Sequence, residues 1–354
     1  MTRGFRRLYA ALICVLACVG LTVIADRGDA GTTAETFAAG KPWHGVFSDP
    51  SVLKVGNTYW AYATVCCGAN LPVTHSTDLS TWYARSAYPP DSNPGWWSGY
   101  NDALPHPAKW AVYNIQRNGR WFTAPWAPSV GYVSGHYVLA YSVPVNTSGR
   151  RCISIAVSGS PQGQFFDNSS RPFVCSSDPQ GSNDPQVYTD ASGAYLIWKN
   201  NGVPGSAPTK IWVRKLNAAG TGWAANSTAH FLLQTAQPWE GNVIENPAMI
   251  KYGSRYYLFY SGNRYTTSAY ATGYAICAGV YGPCHRVQGA PLLASGGGVA
   301  GPGGATPFVG PSGALRLAYA AWDAGRIGGS YPRRMHIARL TVDGRGQLSV
   351  ATRG

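Results

Sequence analysis

Five stretches of this 354-residue chain repeat one pattern: a proline, a short β-prone run, a turn containing glycine, and a second run rich in aromatic residues. They are SDPSVLKVGNTYWAYAT from Ser48, WAPSVGYVSGHYVLAYS from Trp126, NDPQVYTDASGAYLIWKN from Asn183, ENPAMIKYGSRYYLFYSG from Glu245 and ATPFVGPSGALRLAYAAW from Ala305. Their prolines, Pro50, Pro128, Pro185, Pro247 and Pro307, stand 78, 57, 62 and 60 residues apart. Apolar residues alternate on both sides of each turn, the pattern of a β-hairpin with a buried face. Each unit is followed by a second β-prone pair, such as PVTHSTDLSTWYA or MHIARLTVDGRGQL. A period near 60 residues with about four strands describes a β-propeller, because such a sheet buries its faces by stacking on its neighbours around an axis. Five units imply an all-β, five-bladed β-propeller, forming a single domain over residues 40–350. A β-sandwich with chance hairpins would not require this regularity.

Composition agrees. Aromatic residues make up 13% of the chain and charged residues 12%, with 43 Gly and 25 Pro. Gly and Pro interrupt helices, whereas aromatic residues suit a pleated surface. The long first interval is explained by residues 86–121, rich in Pro, Gly, Asn and Trp without clear period, which reads as an extended loop between the first two blades. Its Trp96, Trp97 and Trp110 either stack on sugar faces or pin the loop to the propeller.

The N-terminus carries Arg3, Arg6 and Arg7, then an apolar run from Leu8 to Ala25. That order is expected of a secretory signal over residues 1–30, and an uncleaved run would be a membrane anchor. The formal net charge is +13; losing residues 1–30 removes four Arg and two Asp and leaves +11. A basic field attracts acidic polymers, but the chain shows no dense Lys/Arg run and no nucleic-acid module, so no nucleic-acid partner is expected. Six cysteines lie beyond the leader, an even number at spacings that match no zinc site. Local closure suggests Cys152 with Cys175 and Cys277 with Cys284, leaving Cys66 and Cys67 as a vicinal bridge or as thiols.

Among so few acids, Asp49, Asp184 and Glu245 stand at the starts of units one, three and four. A lone Asp-Pro step is usually turn chemistry, but three acids on innermost strands can converge on the funnel of a propeller. SDPSVLKVGNTYW, VTHSTDLSTW, NDPQVYTDASGAYLIW and IENPAMIKYGSRYYLFYS together resemble the motifs of glycoside hydrolase family 43, five-bladed propellers that act on arabinans, xylans and related polymers. The resemblance covers nearly all of the chain after the leader. It implies Asp49 as general base, Glu245 as general acid, and Asp184 as the residue that orients the acid and raises its pKa by like-charge repulsion. Glu240, five residues before Glu245, is the competing acid, and Trp239 beside it is a second candidate for the site wall. Trp126 of the second unit is assigned to substrate binding together with Trp96, Trp97 and Trp110.

Two positions depart from the family pattern: Ser129 stands where an acid is typical after Trp-Ala-Pro, and Gly304 and Ala305 stand where a His is frequent near the fifth unit. Loss of the imbidazole puts a central calcium ion in doubt, and no cofactor is otherwise expected. The resemblance implies an enzyme hydrolysing O-glycosyl bonds of arabinan, arabinoxylan or xylan with inversion; the leader makes it a secreted, extracellular one, and a monomer is expected. Membrane contact is expected only through an uncleaved leader. The alternatives are a carbohydrate-binding propeller without catalysis and an adhesion propeller.

Overall fold

The computed structural model describes residues 45–84, 102–112, 115–117, 120–147, 149–203, 206–287, 289–329 and 331–352. They build five antiparallel sheets in chain order. The first contains β1 (Ser51–Val55), β2 (Thr58–Tyr62), β3 (Val73–Ser76) and β4 (Tyr83–Ala84). A small hairpin, β5 (Ile115–Arg117) and β6 (Arg120–Phe122), leads to the second sheet of β7 (Trp126–Val133), β8 (His136–Pro144) and β9 (Arg151–Ser158). The third is β10 (Ser182–Asp190), β11 (Gly193–Asn200), β12 (Lys210–Lys215) and β13 (His230–Gln234). The fourth is β14 (Ile244–Tyr252), β15 (Arg255–Gly262), β16 (Ala271–Cys277) and β17 (Cys284–Arg286). The fifth is β18 (Val299–Val309), β19 (Leu315–Asp323), β20 (Arg334–Val342) and β21 (Leu348–Thr352). No α-helix occurs among the described residues.

The first strands form the axis: β1 lies against β7, β7 against β10, β10 against β14, β14 against β18, and β18 returns to β1. This is a five-bladed β-propeller. Each blade is built from one continuous stretch of chain, so the ring closes by packing, without strand exchange. Phe47, Tyr59 and Ala61 of the first blade bury themselves against Phe308 and Ala318 of the fifth, and Phe47 N donates to Arg333 O at 2.9 Å. Comparable apolar clusters join blades two and three, three and four, and four and five. Burying a large apolar side chain contributes about 1.5–3 kcal/mol, and radial stacking applies that gain at these four seams.

The structure shifts the repeat in its last unit. Asp49, Ala127, Asp184, Asn246 and Gly304 all have positive φ, between 43° and 62°. They are followed by Pro50, Pro128, Pro185, Pro247 and Ala305, the last four of which line the funnel beside them. The fifth unit has therefore replaced its proline with Ala305, and Pro307 lies two residues out of phase. The next residue ties its blade to the following one. Val130 N donates to Ser51 Oγ at 3.4 Å and Val187 N to Ser129 Oγ at 3.0 Å; the Gln186 amide exchanges two hydrogen bonds with the Met249 backbone. Ser129 thus serves as an inter-blade clamp.

The second blade has three regular strands; its fourth position is filled by isolated bridges, Val157 with Phe166 and Ile153 with Val174. The segment expected as one long loop contains the β5–β6 hairpin and, at residues 102–112, a firmly held stretch. Leu71 N and Leu104 N donate to buried Asp102, and Ala108 N donates to Tyr141 Oη at 2.9 Å. Trp96 and Trp97 lie outside the described residues.

Candidate active site

At the starts of four of the five innermost strands, two neighbouring residues face one shared cavity. Ser48 and Asp49, Trp126 and Ala127, Asn183 and Asp184, and Glu245 and Asn246 line a cavity of about 200 Å³ together with Thr64, Tyr265, Tyr270 and Arg333. Register shifts next to Trp126, Asn183 and Glu245 break the ladder there, and such bulges turn adjacent side chains out of the regular alternation. The three acids named from the sequence share this cavity, and so does Trp126.

Asp49 Oδ2 accepts a hydrogen bond from Thr64 Oγ1 at 2.6 Å, and its Oδ1 accepts one from Asn246 Nδ2 at 3.3 Å. Asn246 also uses its backbone N–H, which donates to Asp184 Oδ2 at 3.1 Å, so one residue orients two acids from different blades. The position opposite Asp49 explains the fifth-unit departure: a Cβ on Gly304 would come within 2.5 Å of Asp49 Oδ1. Glycine lets the carboxyl approach the backbone.

Glu245 receives a charged partner that sequence reading missed. Lys199, near the end of β11, lies in register with Asn183, the residue before Asp184. Its Nζ stands 2.8 Å from Glu245 Oε2 and 3.8 Å from Asp184 Oδ2, with only 6% of its side chain exposed. The signal available was a lone lysine closing the apolar run AYLIWK. Arg333 and Arg151 are two further buried cations. Arg333 Nη2 donates to Gly301 O and Ala320 O, and Arg151 lies 3.4 Å from the ring centroid of Trp126. Trp126 therefore has one face occupied by a guanidinium.

Burial pushes the Asp49 carboxyl above its ordinary value, against the lowering effect of the Thr64 hydrogen bond and the Arg333 charge. Burial also raises Asp184, to about 7; Lys199 opposes this, while the charges of Glu245 and Asp49 add to it. For Lys199, burial alone favours the neutral amine, but the carboxylates of Glu245 and Asp184 outweigh it and hold the group charged.

The other candidates fall elsewhere. Glu240 is fully buried and takes hydrogen bonds from Arg286, Tyr260, Ala236 N and Gln237 N, so it secures the turn before β14. Trp239 stacks on Tyr260 with ring centroids 5.8 Å apart. Trp110 does not line the cavity. Its indole N–H donates to Ser169 Oγ at 2.7 Å, which joins it to the buried Asp167, Ser154 and Tyr141 network. For Trp110 the pinning alternative accounts for the contacts.

Calcium takes about six to eight oxygen ligands. The funnel below the acids encloses about 20 Å³, room for roughly one water. The described residues contain no group of three His, Cys, Asp or Glu able to hold a metal, both Asp49 oxygens are engaged by Thr64 and Asn246, and Asp184 Oδ2 accepts from Asn246 N. These residues do not fit a calcium cage.

The profile of Glycosyl hydrolases family 43 matches residues 42–347. The chain belongs to that family. A probable arabinan endo-1,5-alpha-L-arabinosidase A from Neosartorya fischeri is 30% identical over 208 residues, covering 53% of this chain and 61% of the fungal protein. The match thus spans about three fifths of that relative's length. The extracellular endo-alpha-(1->5)-L-arabinanase 1 of Bacillus subtilis is 27% identical over 292 residues, covering 78% of this chain and 81% of the relative. Among solved structures, a thermostable family-43 glycoside hydrolase superposes with a TM-score of 0.68 at 24% identity, over 89% of this chain and 95% of the other. A Cellvibrio cellulosa alpha-L-arabinanase complexed with arabinohexaose gives 0.62 at 21% identity, over 88% and 96%. At these identities the structural matches establish the shared propeller.

Proposed function

We propose that this family 43 protein is a secreted glycosidase that hydrolyses α-1,5-linked arabinofuranosyl chains with inversion. The observation that carries the reading is the meeting of Asp49, Asp184 and Glu245 in one cavity, with Lys199 hydrogen-bonded to Glu245. The arabinan preference follows the names of the fungal and bacterial relatives. Secretion rests on the leader, on two disulfides, Cys152–Cys175 and Cys277–Cys284, and on relatives named extracellular.

Glycoside cleavage passes through an oxocarbenium-like state, so one carboxyl protonates the leaving oxygen while another deprotonates the attacking water. Asp49, fixed by Thr64 and Asn246, takes the proton from water. Glu245 gives its proton to the departing oxygen and becomes a carboxylate against the Lys199 ammonium, which stabilises that anion as it forms. Asp184, with its pKa near 7, is protonated over much of the acidic range and so limits the negative charge around the pair.

A panel of debranched arabinan, arabinoxylan and xylan, followed by proton NMR of the first product formed, tests the reading. Cleavage of arabinan with release of the inverted anomer is expected. Turnover confined to xylan would overturn the substrate, and a retained anomer would overturn the mechanism.

A further inference from the structure

Cys66 and Cys67 are the free cysteines among the described residues. They sit in a tight turn closed by Ala69 N donating to Cys66 O at 2.8 Å. Cys67 and Gly68 both take positive φ, 55° and 81°, the pattern of a type I′ turn. A side-chain-bearing residue seldom occupies that conformation. The Cys66 thiol faces both the Val46 carbonyl, at 3.4 Å, and the sulfur of Cys67. Both residues are half-buried.

The turn adjoins the base of the active site. Thr64, two residues before Cys66, donates its hydroxyl to Asp49 and its backbone N–H to Ser48 O. Val46, which accepts from Cys66, lies three residues before Asp49. The strip from Thr64 to Cys66 therefore holds the segment that carries Asp49 at three points.

We propose that Cys66 and Cys67 form a modification site that accepts a low-molecular-weight disulfide as oxidant and closes to a vicinal disulfide beside Asp49. Cys67 attacks first. The hydrogen bond from Cys66 holds the Cys67 thiol below its ordinary pKa, while that contact and burial push Cys66 up; the thiolate is the attacking species. The Cys67 thiolate attacks one sulfur of the oxidant, RSSR, forming a mixed disulfide and releasing RS⁻. Cys66 then loses its proton and attacks the Cys67 sulfur, expelling a second RS⁻. The two thiolates leave as RSH with the two cysteine protons, so two thiols are oxidised and one disulfide is reduced. Closure also takes Cys66 off the Val46 carbonyl.

Intact mass and peptide mapping of the full protein, reduced mildly and then treated with oxidised glutathione, test the site. The wild type is expected to lose both alkylatable thiols and the mass of two hydrogens without accumulating an adduct. Cys66→Ser is expected to stop at one glutathione on Cys67, and Cys67→Ser to take up glutathione at least tenfold more slowly. A wild type that keeps a glutathione adduct, or keeps both thiols alkylatable, would overturn the proposal; adduct formation on Cys66 as fast as on Cys67 would overturn the order of attack. Far-ultraviolet circular dichroism checks that both variants are folded. The readout is mass, so its outcome is separate from that of the glycosidase reading.

Discussion

Lys199 Nζ lies 2.8 Å from Glu245 Oε2, a buried ammonium from the third blade holding a carboxyl of the fourth. The same ammonium is 3.8 Å from Asp184. Lys199→Met keeps much of the volume and removes the charge. It is expected to lower kcat by about 10²–10³-fold, the usual loss for one preorganised electrostatic partner, with a smaller change in KM. Because Lys199 lowers the Asp184 pKa, its loss moves that titration upward, which a pH profile of kcat reads. Lys199→Arg is expected to restore part of the rate.

The pKa of Asp184 also couples to stability. It rises from 3.8 to about 7 on folding, so between these values the native state binds more protons than the unfolded state. Stability from this group is therefore highest below about pH 4 and falls until about pH 7. Asp184→Asn removes that slope. In thermal melts from pH 4 to 8, the variant is expected to gain in Tm relative to wild type as pH rises; a constant difference would contradict the assignment.

Gly304→Ala places a Cβ within 2.5 Å of Asp49 Oδ1 at a φ of +62°. The carboxyl has to move, and a misplacement near 1 Å costs about 10²-fold in rate. Steady-state kinetics should show a fall of that order in kcat, with the variant still folded by circular dichroism.

Trp110→Phe deletes the N–H that donates to Ser169. A lost hydrogen bond of this kind costs about 0.5–1.5 kcal/mol, so chemical denaturation should register the change while KM for arabinan stays within about twofold of wild type. A large rise in KM with unchanged stability would return Trp110 to the substrate wall.

The hairpin repeat made the propeller legible, because four of its five units keep a proline next to the positive-φ residue that lines the funnel. The fifth misled: there Ala305 took the proline's place and Pro307 imitated it two residues later. Asp49, Asp184 and Glu245 could be found from the sequence because each sits beside that repeat landmark. Lys199, Thr64 and Arg333 could not, since they reach the cavity from other strands and loops; Asn246 stands in the repeat itself, but only the closed ring sets its amide against Asp49 of another blade. The role of Ser129 was equally hidden, because its partner is a backbone N–H in the next blade.

The most direct test of the account compares Glu245→Gln and Asp49→Asn on arabinan and on an aryl arabinofuranoside whose leaving group needs no protonation. Loss of a general acid costs about 10²–10⁴-fold. Glu245→Gln is expected to lose that much on arabinan yet retain most of its rate on the aryl glycoside, while Asp49→Asn loses both. Wild-type turnover of arabinan by Glu245→Gln would contradict the central claim.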